Sequence, residues 1–261
     1  MLIAVDVGNT QTTLGLFDAE GTQRKCWRLK TSREDTSDDI LIKLHSLLTT
    51  ADYRSVHIDH AGVASVVPAL NAAWNKALFT ITGKKPLTVS ASQEHSIPLS
   101  IPYPQTIGAD RICNAIAART TYGAPVIVVD FGTATNIDVV DQKGAFRGGA
   151  IAPGLMLSAS ALFQRAAQLA SIPIEAPKQA LGEDTKGALQ SGLVIGTACM
   201  IEGLVGRIKD ELSIQDAPVI ATGGLSTVIS RATDLFTEVD PSLTLRGIYT
   251  IWHDQEAVNS D

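Results

Sequence analysis

Two stretches of this sequence place a carboxylate before a glycine turn that is rich in hydroxyl and amide side chains. The first, Asp6-Val7-Gly8-Asn9-Thr10-Gln11-Thr12-Thr13, follows the apolar run Ile3-Ala4-Val5 and leads into Leu14-Gly15-Leu16-Phe17. The second, Asp130-Phe131-Gly132-Thr133-Ala134-Thr135-Asn136, follows Val126-Ile127-Val128-Val129 and leads into Ile137-Asp138-Val139-Val140. Glycine lets the backbone reverse sharply and bring its N–H groups close to a ligand. Such N–H groups, together with Thr and Asn side chains, suit phosphate oxygens. Asp6 and Asp130 stand where the apolar runs end, and a carboxylate there can hold a hydrated magnesium ion or another cation. One such hairpin would be ordinary. Two, half a chain apart, point to two related half-domains, because a period this long is not that of a solenoid.

Three further stretches could do chemistry. Gly108-Ala109-Asp110-Arg111 opens a helix, so Asp110 is either an N-cap or a functional carboxylate, and Arg111 either a surface charge or a ligand contact. Gly148-Gly149-Ala150-Ile151-Ala152-Pro153-Gly154 can cradle a phosphate or pass close to another backbone segment. Val219-Ile220-Ala221-Thr222-Gly223-Gly224 is a strand entering a Gly-Gly turn, which suits a base or ribose lying flat on backbone. No G-x-x-x-x-G-K-[ST], H-E-x-x-H, C-x-x-C or G-x-S-x-G pattern occurs, so a P-loop nucleotide site, a zincin site and a nucleophile elbow are not indicated.

The elements that must position these residues follow from periodicity. Residues 2–7 and 12–17 predict a β-hairpin around Gly8, with a third strand over Lys25–Lys30. Ile40, Leu41, Leu44, Leu47 and Leu48 share one face of a helix that begins after the polar stretch Thr31–Asp39. A β segment within His57–Val67, a helix over Pro68–Ile81 with Leu70, Trp74 and Leu78 in register, and a short strand over Pro86–Val89 come next. His95, Pro98, Pro102 and Pro104 mark an extended loop. A helix over Arg111–Tyr122 precedes the second hairpin, whose distal turn is Asp141–Gly144, and a helix over Leu155–Ala170 follows the glycine-rich loop. Pro173–Leu181 is irregular. Lys186–Leu212 predicts one long helix carrying Gly187, Gly192, Gly196, Gly203 and Gly206. Each interior glycine costs a helix about 1 kcal/mol, so close backbone packing is expected, against either its own sheet or a second subunit. The polar tail from His253 is expected to fray. The expected organisation is a first half over 1–115, a second over 116–252 and a tail over 253–261.

The chain has 261 residues, 45% of them hydrophobic and 18% charged, with a formal net charge of −6. This supplies sizeable cores and argues against nucleic acid or an anionic membrane as the main partner. Cys26, Cys113 and Cys199 have neither metal-ligand nor disulfide spacing, which fits a reducing cytoplasm. Asp6 interrupts any signal-peptide core. The longest apolar runs are shorter than the roughly 20 residues of a membrane span.

Two Asp-Gly hairpins and a late Gly-Gly turn resemble the actin/hexokinase/Hsp70 superfold, an α/β fold in which two RNase-H-like domains, each a mixed sheet flanked by helices, clamp ATP in a cleft. Asp6-Val7-Gly8-Asn9-Thr10, Ala64-Ser65-Val66-Val67-Pro68, Gly108-Ala109-Asp110-Arg111, Asp130-Phe131-Gly132-Thr133-Ala134, Gly148–Gly154 and Gln190-Ser191-Gly192 occur in that order and together resemble type III pantothenate kinase over roughly residues 1–250. The resemblance implies phosphorylation of pantothenate by magnesium-ATP at its 4′-hydroxyl, the first step of coenzyme A biosynthesis. It implies that Asp6, Val7, Gly8, Asn9, Thr10, Gln11, Thr12, Thr13 and Thr133 bind ATP. Asp110 matches the general base, and Tyr103, Gly108, Ala109, Asp110, Arg111 and Thr185 match substrate contacts, Thr185 across the interface of a homodimer. Asp130 matches the ligand of a monovalent cation, potassium or ammonium, and Asp6 would support magnesium through water. Two alternatives stay open: another small-molecule kinase of the superfold, and a non-catalytic accessory or regulatory protein that kept the fold.

Overall fold

The segment Leu2-Ile3-Ala4-Val5 is buried on both faces, and such an unbroken apolar run belongs in the middle of a sheet covered on both sides. In the computed structural model, which describes residues 1–260 except 52, 54–57, 93–95 and 166–171, it forms that central strand. The described residues divide into two compact units. Residues 1–96, 102–117 and 243–261 make the first, residues 97–101 and 118–242 the second.

The first unit holds β1 (Leu2–Val7), β2 (Gln11–Phe17), β3 (Gln23–Lys30), α1 (Ser37–Thr50), β4 (His60–Ser65), α2 (Asn71–Thr82) and β5 (Leu87–Val89). Its sheet runs β3-β2-β1-β4-β5, antiparallel through the first three strands and parallel from β1 to β4 and β5. Ile3, Val5, Val7, Leu14 and Leu16 meet Ile40, Leu44, Leu48, Trp74 and Leu78 of α1 and α2, the helix faces that periodicity picks out. α1 starts where its sequence caps it: the Thr36 hydroxyl accepts from Asp39 N–H, and Asp39 returns the bond to Thr36.

The chain passes into the second unit within α3 (Ala109–Tyr122). There β6 (Val126–Phe131), β7 (Ala134–Val140), β8 (Phe146–Pro153), α4 (Leu155–Arg165), α5 (Thr185–Gln190), α6 (Gly196–Leu212), β9 (Val219–Thr222), α7 (Ser226–Ile229) and β10 (Glu238–Val239) repeat the first topology as β8-β7-β6-β9-β10. Ile127, Val129, Phe131, Ile137 and Val139 pack with Ala198, Ile201 and Val205 of α6. The two hairpins differ in one respect. Val7 pairs with Thr12 across residues 8–11, whereas Phe131 pairs with Thr135 across residues 132–134, so the first turn is one residue longer.

Three expectations change. The long helix is broken by a π turn at Ser191–Ile195, which separates α5 from α6. The C-terminal tail does not fray: α8 (Leu243–Ser260) is helical and packs on β1, β2 and β4 of the first unit. Its seat lies ahead of the tail: a Cβ at Gly62 would lie 2.5 Å from Ile248 Cγ2 and one at Gly15 would lie 3.0 Å from Leu245 Cδ1, and the mostly exposed residues from His253 to Val258 continue the helix so seated. Finally, Thr185–Leu212 contains an 18-residue window of mean hydropathy 1.5 and is long and apolar enough to cross a membrane by length and composition, although no single apolar run is. Ala198, Ile201 and Val205 on it are nevertheless core residues. The expectations at His57, His95 and residues 166–170 lie outside the described residues.

In the second sheet, a Cβ at Gly149 would come within 2.7 Å of the Ile137 carbonyl carbon on the paired strand. The neighbour there is backbone and cannot rotate away. Gly149→Ala should therefore lower the urea midpoint of unfolding by an amount equivalent to several kcal/mol, on the order of the larger core substitutions. An unchanged midpoint would show that β8 can shift without cost.

Candidate active site

In the first unit the C-terminal ends of two parallel strands and the start of one helix converge. β1 and β4 run side by side to Val7 and Ser65, and Val66 N–H then donates to the Val7 carbonyl at 3.0 Å. Asp6 is the penultimate residue of β1. The turn after it closes through Gly8 N–H donating to the Gln11 carbonyl at 3.1 Å, and a Cβ at Gly8 would crowd that oxygen at 2.8 Å. Thr31 ties the turn down from the end of β3. Its hydroxyl donates to the Gly8 carbonyl at 2.7 Å and its N–H to the Thr10 carbonyl at 3.0 Å. With that hydroxyl proton committed, the buried Thr12 hydroxyl donates to Thr31 Oγ1 at 2.9 Å. Arg33 Nη2 donates to Asn9 Oδ1 at 3.1 Å. Sequence reasoning passed over Thr31 and Arg33, which sit in a stretch that reads as plain polar linker. A cation directly after β3, the strand that pairs with the turn-bearing β2, is the signal that could have found Arg33.

Asp110 lies in the first turn of α3, not at its N-cap, because the helix already begins at Ala109. Its Oδ1 accepts from Arg111 N–H at 2.8 Å. Gly108 makes room for this: a Cβ there would overlap the Asp110 carboxylate and press on Val66 Cγ1 at 3.5 Å. The Gly108–Arg111 and Ala64–Pro68 stretches are thus brought together. Burial pushes the Asp110 carboxyl above the ordinary carboxylate range, against the opposing pull of the Arg111 N–H and charge. One turn along, the Cys113 thiol is fully buried and pushed well up, by burial first and then by the negative charges of Asp6 and Asp110. Tyr103 stands at the entry to the 3₁₀ turn Pro104–Thr106, with its ring 67% exposed and its carbonyl held by the Thr106 N–H and hydroxyl.

The second unit repeats the strand-end pattern. Asp130 is penultimate in β6, as Asp6 is in β1. Gly132 N–H donates to the Ala134 carbonyl at 3.0 Å. The stretch expected as a glycine-rich loop is strand β8 up to Pro153; Gly154, the next residue, donates its N–H to the Thr133 carbonyl at 3.2 Å, and a Cβ on it would lie 2.6 Å from the Gly132 carbonyl oxygen. Gly223 has φ +88° and passes against Asp130 and the Phe131 backbone, where a Cβ would lie within 2.7 Å. Asp130, the Gly132–Ala134 turn, Gly154 and Gly223 form one cluster. Thr185 is remote from it in sequence, exposed at the first position of α5 behind the N-cap Asp184. Among the described residues no group of three or more His, Cys, Asp or Glu side chains could cage a metal. Single carboxylates at turns suit ions that keep much of their shell from water and phosphate oxygens.

The raised carboxyl of Asp110 has a thermodynamic sign. The native state binds the proton more tightly than the unfolded chain, so stability falls as pH rises above the ordinary value of 3.8. Asp110→Asn, which keeps the acceptor for Arg111 N–H, should unfold at a higher temperature than the parent at pH 7. The gap should close as pH falls towards 3.8; a lower melting temperature at pH 7 would contradict the burial cost.

Residues 2–207 match the family model described as type III pantothenate kinase. The chain is 44% identical over 248 residues to the type III pantothenate kinase of Thermomicrobium roseum, covering 95% of each chain. It is 40% identical over 255 residues to that of Agathobacter rectalis, covering 98% of each. Among solved structures, a Campylobacter jejuni protein assigned to the Baf family of transcriptional activators superposes with TM-score 0.63 at 19% identity, covering 98% of this chain and 99% of that one. The ADPNP-bound activator of 2-hydroxyisocaproyl-CoA dehydratase from Clostridium difficile does so with TM-score 0.59 at 11% identity, covering 100% and 97%. At those identities the two structures speak to the fold alone. The sequence relatives cover nearly the whole chain at well over 30% identity, and the protein belongs to the type III pantothenate kinase family.

Proposed function

We propose that this chain transfers the γ-phosphoryl group of ATP to the 4′-hydroxyl of pantothenate, with Asp110 as general base, and that it does so in the cytoplasm as a homodimer. The observation that carries the role of Asp110 is its half-buried carboxyl at the start of α3, where Gly108 packs on Val66 just after β4, the strand paired with the β1 strand that leads into the Gly8 turn. An unperturbed Asp, with a pKa near 3.9, is a poor base for an alcohol. Burial moves Asp110 towards its substrate in basicity, and orientation supplies most of the rest. In the step itself, a bond forms between the 4′-oxygen and the γ-phosphorus and the bond to the ADP oxygen breaks. The hydroxyl proton passes to the Asp110 carboxylate.

The remaining residues position and neutralise. Backbone N–H groups of the turns after Asp6 and Asp130, with Thr10, Thr13 and Thr133, would hold the phosphates. Arg33, fixed to Asn9, adds a positive charge at the first turn. Arg111 and Tyr103 would contact pantothenate. Asp6 would hold magnesium through water and Asp130 potassium or ammonium; when bound, these ions supply positive charge at the transferring group.

The homodimer reading is supported by the exposed side of the stretch after Asp184. Residues 192, 196, 199, 203 and 206 recur at spacings of four and three, all are exposed, and all but Cys199 are glycine. A Cβ at Gly192, Gly203 or Gly206 would meet nothing within 4 Å in one chain. Met156, Leu157 and Leu181 are also exposed, at 52%, 54% and 77%. A second copy lying against this seam would use the closeness that the glycines permit. It would also cover the apolar surface of a helix that has the hydropathy of a membrane span, and bring Thr185 to the partner's substrate.

ADP release from magnesium-ATP should depend on pantothenate and on potassium, and Asp110→Asn should lose nearly all turnover while still binding ATP. Full activity in sodium-only buffer would remove the role given to Asp130, and full turnover in the mutant the role given to Asp110. Sedimentation should give twice the 27.6 kDa chain mass, falling to the chain mass in Gly203→Glu. A monomeric parent would refute the dimer.

A further inference from the structure

The helix that carries Asp110 is fixed in place by the last helix of the chain. α3 and α8 touch backbone to backbone inside the first unit: a Cβ at Gly247 would overlap the Cys113 carbonyl and lie 2.7 Å from Cys113 Cα. Cys113 is one helical turn beyond Asp110. The next residue, Asn114, is fully buried, and its Oδ1 accepts from the Thr244 hydroxyl at 2.8 Å. On its other side α8 is seated on the sheet, where Ile248 and Leu245 fill the spaces over Gly62 and Gly15. α8 therefore cannot move towards the sheet to relieve pressure from α3.

We propose that Gly247, with Thr244 beside it, is a positioning residue: the absent side chain sets the depth of α3 and so the reach of the Asp110 carboxylate towards the substrate hydroxyl. A methyl group at 247 needs about 1 Å more room to reach ordinary van der Waals separation from the Cys113 backbone. The neighbour is helix backbone, so the displacement passes along the rigid turn to Asp110. A displacement of that size at a reacting group costs on the order of 10²-fold in rate. The proposal rests on Asp110 being the base.

The test compares three variants of the full chain at a temperature where circular dichroism shows each to be folded. Gly247→Ala should lower kcat on the order of 10²-fold and leave the KM for ATP within about twofold, since the Gly8 turn is tied to β3 and not to α8. Gly62→Ala disturbs the same helix from the sheet side, against the Cγ2 methyl of Ile248 and away from the α3 contact. It should lose stability comparably and keep kcat near the parent. Thr244→Val removes only the bond to Asn114 and should lower kcat less than Gly247→Ala, again with the KM for ATP unchanged; it keeps the test open if Gly247→Ala does not fold. Parent-like kcat in Gly247→Ala, or parent-like kcat in Thr244→Val where the first does not fold, overturns the proposal. So does an equal loss of kcat in Gly62→Ala, which would mean that α8 merely has to be seated. Failure of the underlying reading is seen separately, as turnover in Asp110→Asn.

Discussion

The half-buried Asp110 carboxylate at the start of α3 is the group around which its neighbours in the first unit are arranged. Burial disfavours the charged form, and the compensation in place is partial: one backbone N–H, the neighbouring Arg111 and the field at the start of a helix. Every neighbour of that carboxylate must therefore be placed closely. Gly108 leaves the space, Val66 closes one side, and the β1–β4 pairing fixes Val66 through the Val7 carbonyl. The α3–α8 contact fixes the helix behind it. A carboxyl raised by burial costs stability above its ordinary pKa, the direction of trade found at groups tuned to take a proton.

The duplicated hairpin shows how one local solution serves two chemical tasks. In both copies an apolar strand ends in a carboxylate, a glycine N–H closes the turn on a carbonyl two or three residues ahead, and a buried threonine begins the return strand. What differs is the packing around each copy. The first turn is one residue longer, is braced by Thr31 and Arg33, and has Asp110 in its unit. The second is braced by Gly154 and Gly223, whose backbones approach so closely that no side chain fits. The first surroundings bring a cation and a second carboxylate, the second close backbone approaches beside Asp130.

Glycine has two opposite uses along this chain. At 62, 149, 154 and 247 it admits a neighbour from the same chain and is already filled. At 192, 203 and 206 it faces open space on a helix that pays a propensity cost for each. Within one chain nothing packs against those positions, which is the observation behind the proposed homodimer.

Much was legible from the residues. Alternation and apolar runs located the strands, the 3.6-residue period identified the buried faces of α1 and α2, and the order of six short motifs carried the family. These are signals with a short range along the chain, set by which residues tolerate burial and which turn types glycine permits. Periodicity states that a face is buried but not against what. The polar tail from His253 read as frayed because it is mostly exposed, and the helix it extends is seated through Leu245 and Ile248 on Gly15 and Gly62, more than half the chain away. From the residues alone Asp110 was either a cap or a functional carboxylate, because its neighbour Val66, which follows β4, is distant in sequence. The brace from Arg33 to Asn9, the approach of Gly108 to Val66 and the contact of Gly247 with α3 all join segments that are distant in sequence. Only the tertiary fold decided them, because only packing brings those atoms within reach of one another.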